Sequence, residues 1–482
     1  MAKVIPGALI IGNEDVNVSG IEYHSALVKS GTAFVAIAGF EQDGNAYADQ
    51  AIENGAVAIV TETEAQRSVP QLIVPDARAA LADLAARFFE YQKQDIKICG
   101  VTGTNGKTTT CFLIKKILEA RGKRVGLITS LIYDTGKDRI AASRTTPESL
   151  DIFRLLYAMK NNGCVNAVIE ISSHALILQR VRNLDVGVAL FTNITRDHLD
   201  FHRDMDDYLA AKTRLLIMVN DKNKWAVINY DSREFRGLLG QAKCSYMTYS
   251  LADRKADVFL ENFKLRPDGS HFILRTPTGR REISFNLPGR FNLYNALAAS
   301  GAALASGIDI DTIASGLEQV RMIPGRLERI DCNAPFSIFI DFAHTPDALR
   351  RTLETLREIG SGRILTVFGC GGDRDRGKRP LMGEAAETLS DYAVLTADNS
   401  RSETTSRIFD DVRPGFKNKD KVEIIEDRRE AIAHILSRAQ ENDLILLAGK
   451  GDENYQEIGC VRHPWSDREV AKEELVKLGI GN

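Results

Sequence analysis

Short apolar runs and helical patterns alternate along nearly the whole chain, in three blocks. In the first, "TAFVAIAG" (32–39) and "GAVAIV" (55–60) read as buried strands, with helical spacing around "YADQAIENG" between them. The Ala-rich "ARAALADLAARFFEYQ" (77–92) closes this block as a helix. From Ile96 the alternation restarts with "ICGVTGTNGKTTTCFLIKKILEA" (98–120), and continues through "KRVGLIT", "LDIFRLLYAMKNNG", "NAVIEISS", "DVGVALFTN", "WAVINYD" and the helix "FNLYNALAASGAALASG". The third block runs through "FSIFIDFAH", "RILTVFGCGGDRDRGK", "YAVLTAD" and "DLILLAGKG", each strand delivering polar or glycine-rich residues at its C-terminal end. Strands alternating with helices predict parallel α/β sheets, which bind ligands at those strand ends. The expected architecture is three α/β domains: a small N-terminal domain over 1–92, a central parallel-sheet domain over 93–325 and a Rossmann-like C-terminal domain over 326–482.

The run at 98–120 carries the first chemistry. Gly103-Thr104-Asn105-Gly106-Lys107-Thr108-Thr109 lies between an apolar strand and an amphipathic helix, the context of a phosphate-binding P-loop. Backbone amides at a helix start attract phosphate oxygens, Lys107 offers a point charge, and Thr108 can reach Mg2+. The strict spacing wants a glycine at position 101, where Val101 stands, and Gly100 comes one residue early.

Composition narrows the reading. At 482 residues the chain is long enough for about three domains of roughly 150 residues each. A net charge of -3 and scattered basic residues leave no electrostatic footprint for nucleic acid. Seven cysteines, odd in number and never in C-x-x-C, indicate neither a disulfide framework nor a zinc site and point to a reducing cytosol. No export signal or membrane span is evident, and no internal repeat appears.

Two strand ends and one helix hold further candidates. In "VIEISSHA", Glu170 ends an apolar strand with Ser172, Ser173 and His174 just beyond; such a set is also an ordinary strand terminus. In "FTNITRDHLDFH", Asp197, His198, Asp200 and His202 offer hard-metal ligands beside phosphates, or form a solvated acidic loop. Lys212 in "YLAAKTRLL" sits on an apolar helix, where a lone lysine usually snorkels to the surface.

Taken together, "TGTNGKTTT", "EISSHAL", "TNITRDHLDFH" followed by "AAK", "GRFNLYNALAA", "PGRLE", "DFAHTPDAL", "GCGGDRDRGKRPLM" and "AGKGDENYQ" occur in the order seen in the Mur ligases. The sequence resembles that family over essentially all of residues 20 to 470, and its last three runs resemble the branch that adds the third residue of the peptide. The family shares the shifted phosphate loop. The central domain also resembles that of folylpolyglutamate synthase, whereas the N-terminal block, with "SALVKSGTAFVAIAGFEQDGN", is similar to a domain that receives UDP.

The resemblance implies a cytoplasmic, monomeric ligase of peptidoglycan precursor synthesis, and hence of cell-wall building and cell division. Such enzymes move the γ-phosphate of ATP onto a carboxylate, and an amine then displaces phosphate to make an amide. By the same resemblance Thr108 and Glu170 hold Mg2+ between the ATP phosphates, and Glu170 with His198 holds a second metal. Lys212 matches a carbamylated lysine (N6-carboxylysine) that supports metal, and Asn292, Asn295, Arg326, Asp341 and His344 contact adenine and ribose. UDP-MurNAc-L-Ala-D-Glu is expected on Tyr23, Ser25, Phe40, Glu41 and Gln42, then on Thr145, Thr146, Ser172 and Arg180. His24-Ser25-Ala26 stands where the family often has Asp-Ser-Arg.

For the third residue, Asp398-Asn399-Ser400-Arg401 matches a motif of enzymes that take meso-diaminopimelate, with serine in place of proline. A guanidinium fork can hold the distal carboxylate of diaminopimelate, which lysine lacks. Arg374, Gly449 and Glu453 are expected to complete the pocket, Glu453 facing the distal ammonium; Asp452 stands where histidine is common. Three alternatives stand beside this reading: an L-lysine-adding ligase, a ligase like folylpolyglutamate synthase, and a nucleotide-gated scaffold without turnover. The joint presence of Lys107, Glu170, His198 and Lys212 argues against the scaffold.

Overall fold

The short apolar runs named above become buried strands, as parallel pairing requires, while "LDIFRLLYAMKNNG" and "FNLYNALAASGAALASG" form helices. The structure, a computed structural model, describes residues 5–39, 42–93, 95–199, 201–459 and 461–480. Phe40, Glu41, Asp200 and Cys460 therefore lie outside the described residues. The chain forms two compact units, Met1–Val258 with Ala298–Ile313, and Phe259–Leu297 with Ala314–Asn482.

The first unit holds two sheets. The N-terminal sheet has the order Leu9–Ile11, Gln71–Ile73, Ala56–Thr61, Thr32–Val35, Gly20–Glu22, antiparallel at the first pairing and parallel thereafter. The helix Ala77–Phe88 begins where the Asp76 carboxylate accepts the Ala79 amide at 2.8 Å. Its face of Ala80, Leu81, Leu84 and Ala85 joins one continuous core with Phe153 and Leu156 of the helix Ser149–Asn161. Polar ties reinforce this junction: Arg182 Nε and Asn183 Nδ2 donate to Asp83 Oδ1 at 2.8 and 2.7 Å, and Gln179 donates to Asp76 at 2.6 Å.

The second sheet of this unit is parallel through Ser245–Ser250, Trp225–Asn229, Val186–Phe191, Lys97–Thr102, Cys164–Glu170 and Arg124–Ile128. Two short antiparallel strands, Ile132–Asp134 and Arg139–Ala141, follow the last of these. Lys97–Thr102 is central, and the register sets Glu170 beside Val101 and Phe191 beside Thr102. Both neighbours thus end level with the start of the phosphate loop.

From Phe259 the second unit takes in an antiparallel meander, whose strands Val258–Arg266, Gly269–Thr276 and Gly279–Phe285 the strand–helix alternation does not predict. Its residues alternate in burial, as a sheet with one solvated face does. The main sheet has the order Glu328–Arg329, Ser337–Asp341, Leu444–Ala448, Ile364–Phe368, Tyr392–Leu395, Val422–Ile424, parallel except for its first pairing. Leu444–Ala448, last of these in sequence, lies between the two earliest parallel strands. Open α/β sheets take ligands outside the carboxyl ends of their strands, where the strand order reverses.

One ion pair in this unit is wholly buried. Arg428 Nε and Nη2 donate to the two Asp467 carboxylate oxygens at 2.8 and 2.6 Å, and Trp465 Nε1 donates to the same carboxylate at 2.8 Å. Removing one partner strands the other without water. Asp467→Ala is expected to lower the unfolding free energy by about 3–5 kcal/mol, read from urea unfolding; a loss below about 1 kcal/mol would contradict this account of the pair.

Candidate active site

The phosphate loop opens where the central strand ends. Gly103 has φ +144° and Gly106 φ +82°, backbone that L side chains rarely adopt. A Cβ on Gly103 would stand 1.9 Å from Thr192 Oγ1. Val101 is inside the strand and fully buried, so the loop begins at 103 and position 101 has no need of glycine. Gly100 serves packing instead: a Cβ there would meet Ile171 Cδ1 at 2.7 Å. The loop is moulded by the neighbouring strand end, where Asn193 O accepts the Thr104 amide at 2.7 Å and Asn193 Oδ1 accepts the Asn105 amide at 3.0 Å. Sequence reasoning does not single out Asn193; its place two residues beyond the end of the strand Val186–Phe191 is the signal it gives.

Lys107, Thr108 and Glu170 come together at this loop. Thr108 Oγ1 donates to Glu170 Oε2 at 2.9 Å, the Ser130 amide donates to the same oxygen at 3.1 Å, and Lys107 Nζ lies 3.9 Å from Glu170 Oε1. Lys107 Nζ also donates to Thr104 O at 2.8 Å. Thr109 is buried on the helix Lys107–Glu119 that the loop caps. Thr108 and Glu170 are hard oxygen donors beside a polyphosphate cradle, a set that suits a magnesium ion that keeps several of its waters. Among the described residues no group of three or more His, Cys, Asp or Glu side chains converges as a metal cage.

Lys212 is not a snorkelling lysine. It is 1% exposed, and its Nζ donates to Gly103 O at 2.7 Å and lies 4.5 Å from the centre of the Tyr208 ring. Burial, with Lys107 nearby, pushes its ammonium well below the ordinary lysine range. Tyr208 in turn lies 3.1 Å from Thr104 Oγ1 and 6.1 Å, centre to centre, from the His198 ring. His198 has φ +55° and a side chain 42% exposed, and Asp197 is 3.6 Å from its Nε2. His202 is buried instead, its Nε2 2.9 Å from Ser173 Oγ, so it braces the loop.

A second group surrounds Thr146. Its hydroxyl donates to Glu170 O at 2.8 Å and accepts the Ser172 amide at 3.0 Å, while Arg180 Nη1 donates to Thr146 O at 3.0 Å. Arg180 Nη2 pairs with Glu148 at 2.9 Å, and burial draws the guanidinium below its ordinary range. Thr145 precedes them, half-buried. In the N-terminal sheet's loops the hydroxyls are already engaged: Tyr23 donates to Asp151 at 2.6 Å and Ser25 to Gln50 at 2.7 Å, while Gln42 accepts from Tyr47 at 2.6 Å. Phe40 and Glu41, expected with them, lie outside the described residues.

In the second unit, Asn292 and Asn295 are buried at the start of a helix, Asn295 Nδ2 donating to Asn292 Oδ1 at 3.0 Å and Asn292 Nδ2 to Pro288 O at 2.8 Å. Asp341 ends its strand, accepting the Leu327 amide at 2.6 Å and the Thr352 hydroxyl at 3.2 Å. Burial raises its carboxyl, against the pull of Arg326. Arg326 lies 5.2 Å from the Phe342 ring, with Nε buried and without an acceptor among the described residues. His344 Nδ1 bonds Phe342 O at 2.8 Å, and burial lowers its pKa.

The strand ends at 398–401 and 449–453 form one buried polar node. Lys450, fully buried and missed from sequence, donates to Asn399 Oδ1 at 2.9 Å and Tyr455 O at 3.0 Å, and reaches Glu453 and Asp398 at 3.4 and 3.5 Å. Asn399 Nδ2 donates to Glu453 at 2.9 Å. Burial raises the Glu453 carboxyl; burial opposes the Asp398 charge too, but Lys450 and Arg428 hold that carboxyl below its usual range. Gly449 is required by φ +111° and by Asp398, whose Oδ2 would be 2.7 Å from a Cβ. Arg401 donates from Nη1 to Gly372 O at 2.7 Å, with Nε 3.4 Å from Glu457. Ser400 is buried, and Arg374 donates to Asp373 O at 3.1 Å.

A glycine-built loop at a strand–helix junction, with lysine, threonine and a buried carboxylate, is the arrangement of the P-loop class. Comparison with known proteins carries this further. The chain matches the Mur ligase family catalytic domain over residues 17–89, the Mur ligase middle domain over 101–303 and the Mur ligase glutamate ligase domain over 325–451. It is 44% identical over 469 residues to the UDP-N-acetylmuramoyl-L-alanyl-D-glutamate--2,6-diaminopimelate ligase of Syntrophomonas wolfei, covering 96% of each chain. It is 41% identical over 471 residues to the protein of the same name from Caldanaerobacter subterraneus, covering 97% of each. A solved structure of a ligase of that name superposes with a TM-score of 0.70 at 32% identity, covering 96% of this chain and 95% of the other. The chain belongs to the Mur ligase family, and it is a ligase.

The loop geometry makes a direct prediction. Gly103→Ala would force both an unfavourable φ and a collision with Thr192, so affinity for a fluorescent ATP analogue is expected to fall at least about tenfold. Unchanged affinity in a folded variant would contradict the account of the loop.

Proposed function

We propose that this chain joins meso-diaminopimelate to a glutamyl carboxylate of UDP-MurNAc-L-Ala-D-Glu, using ATP and passing through an acyl phosphate. The observation that carries the reading is the convergence of Lys107, Thr108 and Glu170 on a glycine loop shaped for phosphate, with Lys212 bonded to Gly103 of that loop. A substrate carboxylate oxygen attacks the γ-phosphorus as the bond to ADP breaks. The free amine of diaminopimelate, having shed a proton to solvent, then attacks the acyl carbon; the nitrogen gives up a second proton to solvent, the C–O bond to phosphate breaks and the amide forms. Oxide is a hopeless leaving group from carbon and phosphate is a good one, so the phosphoryl transfer must come first.

The protein's task is to bring anions together and hold them aligned. Lys107 and the backbone amides at the start of the helix Lys107–Glu119 draw the terminal phosphates, and Ser172 and Arg180, both bonded to Thr146, offer donors for the peptidyl substrate. Thr108 and Glu170 would hold magnesium, which supplies charge neutralisation, and His198 with Glu170 would hold a second ion. Lys212 fits the carbamylated role: a buried, desolvated amine loses its proton readily, and only the neutral amine adds CO2. The adduct turns a cation into an anion. Asn292, Asn295, Arg326, Asp341 and His344 serve the nucleoside, and Tyr23, Ser25 and Gln42 the uridine end. We place domain boundaries near 92 and 325, and the ligase in a reducing cytosol, which its six described free thiols suit. Among the described residues no helix is long and apolar enough to cross a membrane.

For the third residue, the fork of Arg401 at a strand end, with Asp398, Asn399 and Glu453 beside it, favours an amine that carries a distal carboxylate. Incubating the enzyme with ATP, UDP-MurNAc-L-Ala-D-Glu and a panel of amines tests the whole reading: phosphate release is expected with meso-diaminopimelate and only weakly with L-lysine. Release with lysine in preference, or with no amine in the panel, would overturn it. Arg401→Ala is expected to collapse the preference, which a site built to hydrogen-bond one substrate's polar group can set as high as roughly 10⁴-fold. A preference ratio unchanged in steady-state kinetics would remove Arg401 from the pocket.

Lys212→Ala is expected to be nearly inactive and to regain part of its turnover in buffers containing small carboxylic acids, which fill the vacated anionic position. Rescue by alkylamines and not by acids would show that a plain ammonium acts there.

A further inference from the structure

Two loops at the strand ends of the second unit's main sheet, one following Ile364–Phe368 and one following Tyr392–Leu395, are laced together by hydrogen bonds. The Gly372 amide donates to Asn399 O at 2.8 Å, Arg401 Nη1 donates to Gly372 O at 2.7 Å, and the Ser402 hydroxyl donates to Asp373 at 2.6 Å. The fit leaves no slack, since a Cβ on Gly372 would stand 1.9 Å from Ser400 O. Asp373 and Arg401 both take left-handed backbone, φ +52° and +49°, which the surroundings must hold in place.

Both loops rest on Arg379. This side chain, from the helix Lys378–Leu389, is 0% exposed. Nη1 and Nη2 grip the two Glu403 oxygens at 2.9 and 2.7 Å; Nη2 also donates to Gly371 O at 3.2 Å, and Nη1 to Asp411 at 2.7 Å. Glu403 passes the restraint on by accepting the Asp373 amide at 2.7 Å. One guanidinium thus fixes the first loop through Gly371 and the second through Glu403. The Arg379 bond holds the Glu403 carboxyl down at about 2, so the clamp stays charged at any working pH. Buried ion pairs add little stability over apolar residues of the same volume. What this one supplies is a fixed position for what stands on it.

We propose that Arg379, acting through Glu403 and the 371–373 turn, is a positioning residue for the Arg401 guanidinium and thereby sets the preference for an amine with a distal carboxylate. The inference rests on the assignment of Arg401 to that carboxylate. A bidentate pair needs both N–H bonds aligned at once, and a small shift of the fork forfeits one of them. Arg379 has no bond to any of the groups assigned to the substrate except through these loops.

The test is steady-state kinetics with meso-diaminopimelate and L-lysine on wild type, Arg379→Lys, Glu403→Gln, Arg401→Ala and the pairs with Arg401→Ala, with thermal melts as a check on folding. Arg379→Lys keeps the charge and loses the fork; Glu403→Gln keeps the shape and loses the charge. Each is expected to raise KM for diaminopimelate about tenfold and to lower the preference over lysine, with KM for ATP changed less than about twofold. In the Arg401→Ala background neither should lower the preference further, because the residue being positioned is gone. Wild-type preference in the folded single variants, equal losses with both amines, or full additivity with Arg401→Ala would each overturn the inference while leaving the amino-acid assignment intact. Should Arg379→Lys fail to fold, Glu403→Gln decides alone. An unchanged preference in Arg401→Ala itself would instead overturn the assignment, and the inference with it.

Discussion

The first unit is organised around one buried carboxylate. Glu170 sits at the end of a strand beside the central one, 3% exposed, with one oxygen accepting from Thr108 and Ser130 and the other facing Lys107. A carboxylate out of water must be hydrogen-bonded or paired, and these partners come from the phosphate-loop helix and from the turn after Arg124–Ile128. Parallel pairing puts all three strand ends at one level, so the fold's most buried β-structure also delivers its polar groups to one edge. Thr146 bonds Glu170 O and the Ser172 amide, carrying the same arrangement on to Arg180. Moving Glu170 would disturb the loop, the turn and the Thr146 group together.

The second unit solves a similar problem with cations. Lys450 and Arg379 are fully buried, each surrounded by oxygens from loops that leave different strands. Neither belongs to a hydrophobic cluster, and both tie residues more than twenty positions apart in the chain. Apolar packing sets where the strands run; these charged nodes set how the loops at their ends are held. Asp398 and Glu453, both bonded to Lys450, are pushed in opposite directions, the first kept charged and the second lifted by burial.

Much of this was legible in the sequence. The strand–helix alternation located most of the parallel strands, because continuous apolar runs flanked by polar ends are what a doubly covered sheet requires; it passed over Gly20–Glu22, Gln71–Ile73, Ser245–Ser250 and Val422–Ile424. It missed the antiparallel meander of residues 258–285, whose half-exposed strands alternate apolar and polar residues without a helix between them. The phosphate loop was recognisable, yet its spacing anomaly needed the structure: Val101 is strand, and Gly100 makes room for Ile171. Lys212 read as a surface lysine until resemblance supplied a role, since helical periodicity does not reveal that Gly103 O would be its partner 109 residues away. Ser130, Asn193, Lys450 and Arg379 escaped for the same reason. Each acts through a partner distant in sequence, and none breaks a local pattern.

The central claim is that ATP is spent on activating a carboxylate. It is tested most directly by labelling the glutamyl carboxylates of UDP-MurNAc-L-Ala-D-Glu with a heavy oxygen isotope and weighing the phosphate released during amide formation. An acyl phosphate transfers a carboxylate oxygen to phosphorus, so the account predicts labelled inorganic phosphate in step with the amide product. Amide formed with unlabelled phosphate would contradict it.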